Sequence, residues 1–73
     1  MPSYVFDLRI SSQSIRRYYQ GQADLVVVRD RAGRVIHLHP RYLRPHLRPE
    51  GVVGAFCLTL GERGEFLGLE RLS

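Results

Sequence analysis

The residues of this 73-residue chain that are best suited to binding chemistry are arginines concentrated between residues 31 and 49. That segment holds five arginines and no acidic residue, so its net charge of +5 exceeds the +4 of the whole chain. Aromatic rings lie between these arginines. Guanidinium groups bind phosphates and rings stack on bases, so the pattern suits single-stranded RNA or DNA, or another polyanion. The residues of this predicted polyanion site are Arg31, Arg34, Arg41, Tyr42, Arg44 and Arg48.

Two other groups could support chemistry, but each has a simpler structural interpretation. His37 and His39 share one face of a predicted strand, and nothing nearby completes a metal site. Cys57 lies in an apolar run without an adjacent base, so we expect it to be a core residue. No phosphate-binding loop or dinucleotide fingerprint occurs in the sequence. We therefore predict no catalytic residue, no metal, no cofactor and no enzymatic activity.

The length and composition predict one small domain that spans residues 1–73. Hydrophobic residues make up 44% of the chain, which is enough for a core. The single cysteine excludes an internal disulfide, and a small domain without such crosslinks is typical of the reducing cytoplasm. The segment Met1–Arg9 does not have the pattern of a signal peptide. The longest apolar run, Leu25–Val28, is far shorter than a membrane span, so we expect no membrane partner.

The elements that position these residues begin with a strand and a short helix. Tyr4–Ile10 alternates apolar and polar residues, which predicts a half-buried strand. Ser11 is suited to cap the following helix, which we expect to run to about Gln20, with Gly21 as the residue after the C-cap. Its apolar stripe consists of Ile15, Tyr18 and Tyr19.

A hairpin is predicted next. The continuous apolar run Leu25–Val28 favours a central strand covered on both faces. A three-residue loop with Gly33 in the left-handed region then pairs Asp30 with Arg34. In that register Val28 lies opposite Ile36 and Val26 opposite Leu38. The other face of the hairpin is a candidate interface made of Leu25, Val27, Val35, His37 and His39.

The second half of the chain is predicted to contain a proline-rich turn and two strands. A short 3₁₀ or α turn starts at Pro40, and Pro45 is expected to end it. Leu43 and Leu47 are expected to anchor this segment to the core. Val52–Leu60 and Glu65–Leu72 form the last strands, with a bulge or bend at the glycine in position 54.

These elements predict an α+β fold with the order β-α-β-β-(short turn or 3₁₀)-β-β. Consecutive hairpins favour a bent antiparallel sheet of about five strands, and closure into a small half-open barrel stays open as an alternative. The predicted core consists of Phe6, Leu8, Val26, Val28, Ile36, Leu38, Phe56 and Leu58.

The order and spacing of several short motifs resemble a known family. The motifs are Tyr18-Tyr19-Gln20-Gly21-x-Ala23, Val26-Val27-Val28, Leu43-Arg44-Pro45, Gly51-x-x-Gly54-x-Phe56-x-Leu58-x-Leu60 and Phe66-x-x-Leu69-Glu70. From about Tyr4 to Leu72 the chain resembles short bacterial proteins grouped as domain of unknown function 2835, although His46 stands where that pattern has an aromatic residue. The resemblance implies a small α+β domain in a bacterial cytosol, and it implies no activity, cofactor or partner.

Two functions therefore remain open at this stage. The first is a small protein-interaction module, or one that associates with a second copy of itself through the apolar face of the hairpin. The alternative is an arginine-rich binder of single-stranded nucleic acid or another polyanion. Both are binding functions that need no cofactor.

Overall fold

The computed structural model describes residues 2–20 and 25–73, and within them the chain forms five strands, one α-helix and one 3₁₀ helix. In chain order these are β1 (Ser3–Ser11), α1 (Ser12–Tyr19), β2 (Val26–Arg29), β3 (Val35–Leu38), the 3₁₀ helix (Pro40–His46), β4 (Gly51–Leu60) and β5 (Phe66–Arg71). The predicted order of elements is confirmed. Among the described residues, no helix has the length and apolar character needed to cross a bilayer.

The strands form two antiparallel sheets, so the prediction of one five-stranded sheet is wrong. One sheet has the order β1-β4-β5, and the other consists of β2 and β3. Both sheets are open, and no half-open barrel is formed by the described residues. The hairpin strands have four residues each and pair only with each other. The hairpin turn meets β1 through a hydrogen bond from the Arg31 N–H to the Val5 carbonyl (2.8 Å).

Strand β4 is the centre of the larger sheet and pairs with the whole of β1, from Ser3 opposite Thr59 to Ser11 opposite Gly51. Phe6 lies opposite Phe56, and their ring centroids are 6.2 Å apart. The inner face of this sheet packs against the hairpin, α1 and the 3₁₀ helix. All eight predicted core residues are buried in one cluster. The cluster also contains Ile15, Leu43 and Val52.

Two predictions about β4 need correction. No bulge interrupts the pairing with β1 at Gly54, although Gly54 has a positive φ of +146°, and the register shift lies instead in the β4–β5 pairing, between Thr59 and Leu60. Cys57 is half-buried and is not part of the core. Strand alternation places it on the opposite face of the sheet from its buried neighbour Phe56.

The hairpin has the predicted register, with Val26 opposite Leu38 and Val28 opposite Ile36. These four side chains are buried, whereas the alternate positions on both strands are exposed. The prediction that the run Leu25–Val28 is covered on both faces is therefore wrong. A two-stranded sheet at the surface packs one face on the core, and here nothing among the described residues covers the other.

Helix α1 begins as predicted. Ser11 has the extended backbone of an N-cap, and its Oγ accepts a hydrogen bond from the Ser14 N–H at 3.1 Å. Ile15 is buried at 2% exposure, and the two tyrosines of the stripe pack partly buried against the core. The helix ends one residue before Gln20. The expected role of Gly21 lies outside the described residues.

The 3₁₀ helix starts at Pro40 as predicted but continues past Pro45 to His46. Proline is tolerated because the bond that closes the last turn runs from the Leu47 N–H to the Arg44 carbonyl (3.1 Å) and needs no donor from residue 45. Leu43 is fully buried, whereas Leu47 is 43% exposed. The prediction of a core anchor is confirmed for Leu43 and wrong for Leu47.

Candidate functional site

The outer side of the hairpin, which we call the hairpin face, consists of Leu25, Val27, Val35, His37 and His39. Val27, Val35 and Leu25 are 60%, 52% and 42% exposed. Val27 lies directly opposite His37 on the neighbouring strand. A solvated strand face normally carries polar residues, so these aliphatic side chains form an unusual surface.

One histidine of this face is tied to the 3₁₀ helix. The Nδ1 atom of His39 accepts a hydrogen bond from the Arg41 N–H at 3.1 Å, and its ring meets Tyr42 edge-on. Within residues 2–20 and 25–73, no group of three or more His, Cys, Asp or Glu side chains is placed to hold a metal ion.

The structure separates Arg31 and Arg34 from the other arginines of the predicted polyanion site, because each binds a carboxylate. Arg31 pairs with Asp7 at 3.0 Å, and its hydrogen bond lowers the pKa of Asp7. Arg34 pairs with Asp30 at 2.6 Å. Burial alone would raise the pKa of Asp30, but the hydrogen bonds from the backbone and guanidinium of Arg34 outweigh it and hold that pKa below its ordinary value.

Arg41 and Arg44 lie on the 3₁₀ helix, where residues three apart share a face. Arg41 is over the ring of Tyr42 at 5.1 Å and donates a hydrogen bond to its hydroxyl at 3.3 Å. The Tyr42 ring also stacks on Phe66, with centroids 3.8 Å apart. Tyr42 is half-buried, and its ring is engaged by neighbours within the chain.

Arg44 joins the 3₁₀ helix to α1. Its guanidinium carbon lies 5.1 Å from the ring centre of Tyr19. Burial raises the pKa of Tyr19, while the nearby charge of Arg44 opposes this rise. The Tyr19 hydroxyl oxygen is buried and has no hydrogen-bond partner among the described residues. A cation over a ring is attracted to its π face, so this contact holds the two elements together.

A groove lies between α1 and the segment that follows the 3₁₀ helix; we call it the α1 groove. It has a volume of about 230 Å³. Its lining includes Ile15, Arg16, Tyr19, Leu47, Arg48 and Pro49. Arg48 is held by two backbone hydrogen bonds with Gly51, one in each direction (2.9 and 2.8 Å). Within residues 2–20 and 25–73, no carboxylate lies within 4.0 Å of the guanidinium of Arg16 or Arg48.

Arg16 and Tyr19 line the α1 groove but were not among the residues of the predicted polyanion site. Both residues could have been inferred from the apolar stripe of α1. The stripe requires the helix to dock, and docking brings the charged residues beside the stripe close to the neighbouring element. Arg71 was also missed, and nothing in the sequence marks it. Its guanidinium donates to the carbonyls of Val53 (2.6 Å) and His46 (3.2 Å), so it has a structural role.

Comparison with known proteins gives a family for this arrangement. A family model described as protein of unknown function DUF2835 matches residues 2–72. The chain belongs to this family. No curated protein and no solved structure matches it. Because the family description carries no activity, a function has to be argued from the two surfaces above.

Proposed function

We propose that the chain is a small, non-enzymatic interaction module of the cytoplasm that associates with a second copy of itself through the hairpin face. The observation that carries this proposal is the exposure of three large aliphatic side chains, Leu25, Val27 and Val35, on one side of a two-stranded sheet. Exposed apolar patches are typical of interfaces, and their burial adds stability that a core of this size lacks.

A two-fold axis through the hairpin face would place Val27 and Val35 of each copy against those of the other. Standard interfaces bury about 800 Å² per partner. The chain exposes 5020 Å² in total, so such an interface would cover roughly a sixth of its surface. The Asp30–Arg34 ion pair and the hydrogen bond from the Asp30 N–H to the Arg34 carbonyl (2.9 Å) close the hairpin turn, which should limit the ordering entropy lost on association.

Light scattering across a concentration series tests the proposal. The mass should rise from 8.4 kDa toward twice that value with concentration. The double variant Val27→Thr, Val35→Thr keeps β-branched residues but removes apolar area, and it should stay at the monomer mass. Leu67→Thr is the matched control, since Leu67 is 50% exposed on the other sheet, and it should behave as the parent. A parent that remains monomeric at about millimolar concentration would overturn self-association.

Binding of single-stranded nucleic acid remains the second candidate. It is supported by the positions of Arg41, Arg44 and Arg48, none of which has a carboxylate within 4.0 Å in the described part of the chain. It is weakened by the engagement of the rings that would stack on bases, because Tyr42 already stacks on Phe66. Fluorescence anisotropy with an oligonucleotide, included in the experiment below, tests this candidate.

A further inference from the structure

We propose that the α1 groove binds a short acidic peptide segment that inserts one large apolar side chain. This site lies on a different surface from the hairpin face and does not depend on self-association. Three features of the described residues support this site: an apolar floor, a rim of arginines without a carboxylate partner, and aromatic rings that already contact neighbours within the chain.

The floor of the groove is apolar and small. Ile15 is buried at its base, and Leu47 is 43% exposed beside it, together with Pro49. Pockets for drug-sized ligands and cofactors have volumes of about 300–1,000 Å³. The volume of about 230 Å³ is below that range and suits a single leucine or phenylalanine side chain.

The rim of the groove is cationic. Arg16 on α1 and Arg48 before β4 both line it, and Arg44 lies over Tyr19, which lines it as well. No carboxylate within the described ranges pairs with these three guanidinium groups. Arginine forms two parallel hydrogen bonds with a carboxylate, so acidic residues on either side of an apolar anchor complement this rim.

The aromatic rings near the groove favour a peptide over a nucleic acid. Sites for single-stranded nucleic acid present aromatic side chains on which successive bases stack. Here Arg44 lies over one face of Tyr19 at 5.1 Å, and Tyr42 stacks on Phe66 at 3.8 Å. The sugar-phosphate backbone of a nucleic acid also carries no aliphatic side chain that could fill this groove.

Backbone hydrogen bonds and a helix cap hold the walls of the groove. The Leu47 N–H bonds to the Arg44 carbonyl, and Arg48 forms two backbone hydrogen bonds with Gly51. The N-cap at Ser11 fixes the start of α1 on the other side. Little chain entropy is therefore lost when a peptide binds, which allows a short segment to bind measurably.

The experiment measures fluorescence anisotropy at about 50 mM salt with four labelled probes: the hexapeptide Glu-Asp-Glu-Leu-Asp-Glu, its Leu→Ala form, its amide form Gln-Asn-Gln-Leu-Asn-Gln and an oligo-dT of twelve nucleotides. The acidic leucine peptide should bind saturably. Alanine in place of leucine should weaken binding about tenfold or more, because most of the buried apolar area is lost. The amide peptide should lose at least as much, since it lacks carboxylates.

The variants separate the groove from general positive charge. The double variant Arg16→Gln, Arg48→Gln should weaken binding of the acidic leucine peptide at least tenfold. The double variant Arg17→Gln, Arg63→Gln removes the same charge from exposed positions outside the groove lining, and it should change the affinity less than twofold. Circular dichroism checks that both variants fold.

Three results would overturn the proposal: no saturable binding of the acidic leucine peptide up to about 1 mM, equal losses in the two double variants, or tighter binding of oligo-dT than of that peptide. The last result would support the nucleic-acid candidate instead. The Val27→Thr, Val35→Thr variant should bind the peptide as the parent does. This control distinguishes failure of the groove from failure of self-association.

Discussion

Replacement of Gly51 by alanine should destabilise this domain more than the same change at Gly33, which lies in the open turn of the hairpin. Gly51 has φ +115°, and a Cβ there would overlap the Ile10 carbonyl oxygen and lie 2.7 Å from the Ser12 nitrogen. These are backbone atoms of the β1–α1 junction and cannot rotate away. Gly33 is the matched control, because it has φ +88° but nothing within 4 Å of the same position.

The magnitude follows from this difference in surroundings. A left-handed backbone costs a residue with a Cβ about 1–2 kcal/mol, which is the whole effect expected for Gly33→Ala. Forcing atoms into filled space adds about 1–3 kcal/mol, so Gly51→Ala should lose about 2–5 kcal/mol. A core of this size supplies only about 3–5 kcal/mol, so Gly51→Ala should remove a large part of the net stability.

Urea unfolding followed by far-ultraviolet circular dichroism measures both variants, since the chain has no tryptophan. At a slope of about 1 kcal/mol per molar urea, Gly33→Ala should lower the midpoint by about 1–2 M. Gly51→Ala should lower it by about 2–5 M, and at the upper end of that range no folded baseline remains. Equal midpoints for the two variants would refute the overlap with β1 as the cause.

Two further predictions concern side chains. Ser11→Ala should lower the free energy of unfolding by about 1 kcal/mol, because the Ser14 N–H loses its acceptor. Ser12→Ala is the control and should cost less. Equal urea midpoints for Ser11→Ala and the parent would show that Ser11 does not act as a stabilising cap. The pKa of Asp30 lies below its ordinary value, so its stabilising contribution is present above about pH 4 and is lost as the pH falls through the folded-state value. The urea midpoints of the parent and Asp30→Asn should therefore converge as the pH is lowered. The corresponding change for Asp7→Asn should be smaller, because its ion pair is exposed. A difference between the parent and Asp30→Asn midpoints that stays constant with pH would contradict this prediction.

Local patterns predicted the local structure of this chain well. The alternation of Tyr4–Ile10, the cap at Ser11 and the register of the hairpin each depend on neighbours in sequence, and all three agree with the structure. The division into two sheets depends on which edges meet across the whole chain. An apolar run such as Leu25–Val28 does not reveal whether one of its faces will be left uncovered.

The candidate site was predictable only in part for the same reason. The count of arginines in residues 31–49 did not reveal that two of them pair with Asp7 and Asp30, since one of those carboxylates lies far away in sequence. It also did not reveal that α1 docks beside the 3₁₀ helix and adds Arg16 to the remaining arginines. Tertiary contacts therefore decide which charges remain available.

The pairing of β1 with β4 has a consequence for the synthesis of this protein. The hairpin joins neighbouring strands and can form within microseconds, but β1 must wait for β4, since Ser3 pairs with Thr59 and Ser11 with Gly51. Closing that loop costs entropy before the pairing stabilises it. Phe6 therefore lacks its partner Phe56 until β4 is available, so a chain that ends before β4 leaves exposed the apolar side chains that β4 would cover.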